Sequence, residues 1–221
     1  MKQSKKIIIF DLDGTILDTI ADITTAVNRA LESFGYPKRK VDEVKSFLGN
    51  GSLTLIRRCL PNGGDDDHCR EIRTRFREEY QKCMLEKTIP YNGISDLIDE
   101  LNEKGIISVV LTNKDDKSAV PMIEHYFGNR FAFVRGVKTD FDRKPNPEVA
   151  LSIISNFGFT PESALIIGDG MADLNVAKNA GIDFLPIGYG YTPTDRLFSE
   201  CQKTPVSDVF SLRCELLKYL D

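Results

Sequence analysis

No stretch of the chain approaches the roughly 18 to 20 uninterrupted apolar residues that a membrane span needs. The first lysines lead into only four apolar residues, Ile7 to Phe10, before Asp11, so no signal peptide and no membrane partner are expected. Cysteine is sparse and badly placed for cross-linking: Cys59, Cys69, Cys83, Cys201 and Cys214 are odd in number, scattered and without a CxxC spacing. That pattern supplies neither a disulfide framework nor a zinc site and fits a reducing cytoplasm. A positive excess is missing too, since 29 Lys and Arg stand against 33 Asp and Glu for a net charge of -4. Nothing global attracts a nucleic-acid backbone, and any anionic substrate has to be held by local groups. His68 and His125 have no companion acids at a recognisable spacing, and the chain has no internal repeat or low-complexity tract.

What is present is an ordinary globular composition, 221 residues at 41% hydrophobic and 28% charged, enough for a sizeable core with a smaller companion. Short apolar runs bounded by turn residues recur at Ile7 to Phe10, Ile106 to Leu111, Phe131 to Val134, Ala164 to Ile167 and Phe184 to Ile187. They read as buried parallel strands. Helical spacing lies between most of them: Ile94, Leu97, Ile98 and Leu101; Val149, Leu151, Ile154 and Phe157; and a closing segment from Val209 to Leu220. The alternation predicts an α/β fold, a doubly wound, Rossmann-like parallel sheet covered on both faces.

One connection breaks the rhythm. From Asp11 to Gly105 there are 95 positions, where a strand crossover needs about a dozen or more. The excess reads as an α-helical insert. Ile20, Ile23, Val27, Ala30, Leu31 and Phe34 share a face between Asp18 as N-cap and Gly35 as stop, and further helices are expected from Ser52 to about Leu60 and from about Cys69 to Leu85. The expected organisation is a core of residues 1–14 and 90–221 with a helical cap at residues 15–89. Ligands of open α/β sheets bind beyond the carboxyl ends of the strands, so an insert grafted there is expected to act as a lid.

Chemistry gathers at those strand ends. The first strand runs into Asp11-Leu12-Asp13-Gly14-Thr15, two carboxyls one residue apart that resist joint ionisation unless a cation lies between them. A hard divalent ion with oxygen ligands is suggested, Mg²⁺ first. Leu111 leads into Thr112-Asn113-Lys114; Lys144 stands between Arg143 and Pro145-Asn146-Pro147; Ile167 leads into Gly168-Asp169-Gly170-Met171-Ala172-Asp173. One parallel sheet thus brings together acids for a metal and a hydroxyl and ammonium for phosphoryl oxygens.

In this order, Asp11-x-Asp13-Gly14-Thr15, Thr112-Asn113, Lys144-Pro145 and Gly168-Asp169 with Asp173 resemble the four motifs of the haloacid dehalogenase superfamily of phosphotransferases. Leu48-Gly49-Asn50-Gly51, Thr112-Asn113-Lys114, and Ala180-Gly181-Ile182 running on to Gly188-Tyr189-Gly190 resemble its phosphoglycolate phosphatase branch. Gly170 stands where a serine or threonine is common, and Asp115 where many relatives have proline. The resemblance implies a hydrolase of a small phosphorylated metabolite, with Asp11 as nucleophile and Asp13 as acid and base. It further implies Mg²⁺ on Asp11, the Asp13 carbonyl and Asp169. Thr112 and the amides near Gly14 and Asn113 would hold phosphoryl oxygens, Lys144 would balance charge, and Asp173 would position Lys144 or a metal-bound water. Lys114 is expected to join the substrate-binding groups.

Several segments have two readings. Gly49, Asn50 and Gly51 precede a helix, where backbone amides receive a substrate carboxylate or simply form a capped turn. Arg57 and Arg58 are expected to be solvated, Asp65-Asp66-Asp67-His68 to be a loop and helix cap, Lys38-Arg39-Lys40 to be a surface face, and Gly188 to Tyr191 to be a turn near the site. Competing functions are a phosphomutase of the β-phosphoglucomutase type, a phosphatase for pyrophosphate or a nucleotide, and a signalling receiver. A receiver would carry its phosphorylated aspartate on a later strand and has no use for so long an insert.

Overall fold

Three isoleucines and a phenylalanine make β1 (Ile7–Phe10), and all four side chains are buried. β-branched and aromatic residues suit a pleated strand enclosed on both faces. The computed structural model describes residues 4–220. After β1 come β2 (Leu17–Asp18), α1 (Ile20–Ser33), α2 (Val41–Phe47), α3 (Gly51–Cys59), α4 (Asp66–Cys83) and β3 (Ile89–Pro90). The chain continues through α5 (Ile94–Glu103), β4 (Ile107–Asp115), α6 (Asp116–Phe127), β5 (Phe133–Val137), α7 (Glu148–Asn156) and β6 (Ala164–Gly168). It closes with α8 (Met171–Ala180), β7 (Asp183–Pro186), α9 (Thr194–Cys201) and α10 (Val209–Leu220).

These elements fall into two units, residues 1–17 with 90–221 and residues 18–89. The first holds a five-stranded sheet in the order β5-β4-β1-β6-β7, parallel at every junction. Ile7, Ile9, Val109, Leu111 and Ile166 face one way and pack with Val149, Ile153, Leu174, Ala177 and Leu197 from α7, α8 and α9. Phe10 lies against Phe131, which meets Phe127 of α6 edge-on. Helices on both faces make this a doubly wound α/β core. Its strand order reverses at β1: β4 and β5 run outward on one side, β6 and β7 on the other, which opens a crevice at the carboxyl ends of β1 and β6.

Some boundaries differ from the apolar pattern. The polar residues Thr112 to Asp115 do not leave the sheet; β4 continues through them, with an irregular register against β5 between Leu111 and Asp115. Phe131 precedes β5 rather than opening it, because its ring is taken up by Phe10 and Phe127. Helix α6 carries Pro121 in its interior, a residue that weakens a helical signal.

The second unit is helical, with α1 packed on α4, α3 on α4 and α2 on α1. Thr19, not Asp18, is the N-cap residue of α1, and the Asp18 carboxylate receives the Ile20 N–H at 3.4 Å. Gly35, at φ 76°, closes the helix: its N–H donates to Glu32 O and that of Tyr36 to Leu31 O, the paired bonds of a Schellman motif. Helix α4 starts three residues before Cys69 because Asp65 caps it, receiving the His68 N–H at 2.9 Å. Arg57 pairs with Asp66, and Arg39 pairs with Glu43 while its Nε donates to Cys59 O. Among the described residues no helix is long and apolar enough to cross a membrane.

One buried acid ties this unit together. Asp22 on α1 is fully enclosed, and its carboxylate accepts the N–H groups of Lys87 and Thr88 and the Thr88 hydroxyl, the last two at 2.8 Å. Removing it strands a buried donor. Asp22→Ala is expected to destabilise the protein by about 2 to 4 kcal/mol, read from urea unfolding; a loss below about 1 kcal/mol would show that these bonds hold nothing.

Candidate active site

Asp11 is the first residue past β1. Phe10 stands opposite Val110 and Ile167, and the Asp11 N–H donates to Ile167 O at 3.0 Å. The backbone therefore fixes the Asp11 carboxylate at the β1–β6 crevice. Just beyond, the N–H groups of Thr15, Ile16 and Leu17 all donate to Leu12 O, and Gly14 adopts φ 82° in that turn. A Cβ on Gly14 would come within 2.7 Å of an Asp169 carboxylate oxygen, so glycine is required on both counts.

Lys144 reaches this place from the segment after β5. Its side chain is almost wholly buried, and Nζ donates to Asp11 Oδ1 at 2.7 Å, Asp173 Oδ1 at 2.6 Å and Leu111 O at 2.9 Å. Burial opposes its charge, but Asp11 and Asp173 outweigh burial and hold the ammonium above the usual lysine range. The second Asp173 oxygen accepts the Gly170 N–H at 3.0 Å at the start of α8. Both oxygens of Asp173 are thus engaged by the protein. Gly170, lacking a hydroxyl, leaves that half of the helix cap to Asp173 alone.

Asp169 follows β6 and is nearly as buried as Asp173. Its Oδ2 receives the Tyr191 N–H at 2.6 Å and its Oδ1 the Thr15 hydroxyl at 3.3 Å. Backbone comes so close here that a Cβ on Gly190 would stand 2.3 Å from Asp169 Cβ, and one on Gly168 2.4 Å from Asp173 Cγ. Asp11, Asp169 and Asp173 offer oxygens that all lie within 4.8 Å of one another. Burial first, then the charges of Asp11 and Asp173, push the Asp169 carboxyl up to about 7. Burial and Asp11 push Asp173 up to about 6, against the pull of Lys144. Three clustered carboxylates face the Lys144 ammonium. The set fits a hard divalent cation held by oxygens.

Thr112 and Lys114 follow Leu111 on β4. Thr112 is buried at the irregular part of β4, and its hydroxyl oxygen accepts the Lys114 N–H at 3.2 Å. Lys114 Nζ donates to Asp13 Oδ1 at 2.8 Å, an ion pair between residues 101 positions apart that the sequence did not indicate. The Asn113 side chain turns to the main chain of Lys144, with Oδ1 accepting from Lys144 N at 2.8 Å and Nδ2 donating to Lys144 O at 3.2 Å. Gly49, Asn50 and Gly51 belong to the helical unit. Gly51 opens α3, Gly49 and Gly51 have φ of 103° and 80°, and the Asn50 side chain does not cap the helix.

Sequence reasoning left out Thr15, whose hydroxyl reaches Asp169, and Tyr189, whose hydroxyl donates to Thr15 O at 3.2 Å. Their signal was present: Thr15 belongs to the first acidic motif, and the Gly188 to Tyr191 turn was expected near the site. What the pattern lacks is the direction in which each polar group points.

The sequence profile of the haloacid dehalogenase-like hydrolases matches residues 8–187. Among curated relatives, a phosphoglycolate phosphatase of Pseudomonas putida is 30% identical over 213 residues, which are 94% of this chain and 78% of that protein. Phosphoglycolate phosphatase 1 of Pseudomonas aeruginosa is 33% identical over 192 residues, 84% of this chain and 70% of its own. A solved structure from Lactobacillus delbrueckii subsp. bulgaricus superposes with a TM-score of 0.91 at 27% identity, covering 97% of this chain and 99% of that one. With the acids, the buried lysine and the parallel sheet that positions them, the match over most of its length means that the chain belongs to the haloacid dehalogenase-like hydrolase family.

Proposed function

We propose that the protein is a Mg²⁺-dependent phosphatase of small phosphomonoesters, that its substrate is 2-phosphoglycolate, and that it works through a phosphoryl group carried on Asp11. The observation that carries this reading is the buried Lys144 ammonium shared by Asp11 and Asp173, with Asp169 beside them. Relatives named for phosphoglycolate hydrolysis support the substrate.

In this reading Asp11 attacks the phosphorus, and Asp13 gives a proton to the departing oxygen and later takes one from the attacking water. Lys114, paired with Asp13, steadies that carboxylate at the mouth of the reaction. Thr112 and the amides near Gly14 and Asn113 hold phosphoryl oxygens, while Lys144 offsets charge that the phosphate brings to Asp11. Mg²⁺ fits on Asp11, Asp169 and the Asp13 carbonyl, and when bound it would supply the positive charge that lets a phosphate dianion approach a carboxylate. Asp173, spent on Lys144 and Gly170, is assigned to positioning. The helical unit at residues 18–89 is assigned to substrate choice, with the amides of Gly49, Asn50 and Gly51 at the start of α3 receiving the substrate carboxylate.

A carboxyl whose pKa is raised in the folded protein takes up protons on folding, so its contribution to stability falls as pH rises. For Asp169, at about 7, and Asp173, at about 6, that loss runs from the unfolded value, roughly 4, up to neutrality. Mg²⁺ competes with those protons. Its stabilisation of the protein is therefore expected to grow from pH 5 to about 7 and then level off, read from melting temperature with and without the ion. An equal shift at pH 5 and pH 8 would separate the acids from the metal. Turnover is expected to stop in excess chelator, with Ca²⁺ a poor substitute.

Asp11→Asn is expected to keep the fold and lose turnover, since an amide is no nucleophile; Asp13→Asn should lose roughly 10² to 10⁴ in kcat. Near-native rates in a freshly prepared Asp11→Asn protein, checked by mass for deamidation, would remove Asp11 from the nucleophile's role.

Phosphoglycolate is expected to have a higher kcat/KM than ethyl phosphate, by about one to two decades if its carboxylate makes a desolvated charge-assisted contact. Gly51→Val should erase that preference while sparing an aryl phosphate. Gly51 has φ 80°, which a β-branched residue adopts only under strain, so melting temperature is a necessary companion measurement. Equal losses on both substrates would take the carboxylate contact away from α3.

A further inference from the structure

The segment between β5 and α7 brings Lys144 to the site without joining the sheet, so its main-chain polar groups have to be met in other ways. Side chains meet several of them. Asp142 accepts the N–H groups of Lys138 and Thr139 at 3.0 and 2.8 Å, Asn146 donates to Phe141 O at 2.9 Å, and Asn179 donates to Pro145 O at 3.0 Å. At Lys144 itself one side chain takes both main-chain groups: Asn113 Oδ1 accepts the N–H at 2.8 Å and Asn113 Nδ2 donates to the carbonyl at 3.2 Å.

A carboxamide is the side-chain group that carries a donor and an acceptor side by side as a peptide does. Aspartate has the acceptor alone, and an aliphatic residue has neither. Asn113 also stands on β4 two residues after Leu111, whose carbonyl receives the Lys144 ammonium at 2.9 Å. Strand β4 thus holds Lys144 at both ends, by its main chain through Asn113 and by its Nζ through Leu111. The ammonium is left aimed at Asp11 and Asp173, at 2.7 and 2.6 Å.

We infer that Asn113 is a positioning residue whose side-chain amide fixes the main chain of Lys144, and that this side chain acts on the reaction through Lys144 rather than by touching the substrate. The inference rests on the part proposed above for Lys144, and it moves the Asn113 side chain from the substrate-binding groups to the support of a charge.

The test has one arm that needs no activity. Native protein is treated with an acetylating ester, and acetylation of Lys144 is followed by peptide mass spectrometry. Asn113→Ala is expected to label about ten-fold faster at Lys144 than the unaltered protein, at a melting temperature that shows it folded. If Asn113→Ala does not fold, Asn113→Asp replaces it; it keeps the acceptor for the Lys144 N–H, and a smaller change in the same direction is expected.

The second arm is a double-mutant cycle on phosphoglycolate, with Lys144→Met as the second change. Alone, Asn113→Ala should lower kcat about ten-fold or more; on top of Lys144→Met it should cost less than about two-fold. Where Lys144→Met leaves too little turnover to measure, affinity for inorganic phosphate by calorimetry is compared with and without Asn113→Ala and is expected to be unchanged in that background. Unaltered labelling of Lys144, or equal losses in both backgrounds, would overturn the inference. Absence of phosphatase activity in the unaltered protein would defeat the proposed function instead, and the labelling result would still decide the clamp.

Discussion

The Lys144 ammonium is a full positive charge in a place that water scarcely reaches, and the architecture around it exists to make that tolerable. A buried cation without partners costs several kcal/mol and sheds its proton instead. Here three oxygens from three different parts of the chain meet it: the Asp11 carboxylate after β1, the Asp173 carboxylate in the first turn of α8, and the Leu111 carbonyl on β4. Each oxygen depends on a neighbouring element being in register, so the sheet order and the charge cluster support each other. The same ion pairs bind Asp11 to the crevice where the strand order reverses.

Asp169 adds a third carboxylate beside Asp11 and Asp173, and it receives hydrogen bonds from the Thr15 hydroxyl and the Tyr191 backbone. Those donors hold its position, but they offset only part of the burial and repulsion that raise its pKa. The carboxyl oxygens of Asp11, Asp169 and Asp173 lie within 4.8 Å of one another, the kind of donor set that a hard cation takes.

Much of this was legible because polar residues follow apolar runs abruptly. Asp11 after Ile7 to Phe10 and Asp169 after Ala164 to Gly168 mark strand ends by the change of character alone. The same rule misplaced the end of β4, where Thr112 to Asp115 are polar yet remain strand, because the irregular register against β5 lets side chains there serve the site. Helix α6 was hidden by Pro121, and the start of α4 by three consecutive acids, which serve as cap and first turn and favour the helix dipole. Long-range pairing was illegible for a different reason. Lys114 lies 101 positions from Asp13, and nothing in spacing says which of many acids a lysine will meet; the same holds for the Asn113 amide and the main chain of Lys144. Motif order pointed to Asp11, Lys144, Asp169 and Asp173, which the fold brings together, whereas the direction of each hydrogen bond depends on the folded chain.

Close approach of main chain to carboxylate has a consequence for how this molecule tolerates change. At Gly14, Gly168 and Gly190 the space a single methyl carbon would occupy is already filled by Asp169 or Asp173. These positions contribute no side chain, yet each one borders an acid so tightly that the open space there is part of the acid's placement. Counting reactive side chains therefore understates how much of the polypeptide is constrained. Damage to the centre can come from gaining an atom at a silent position as readily as from losing one at an active residue.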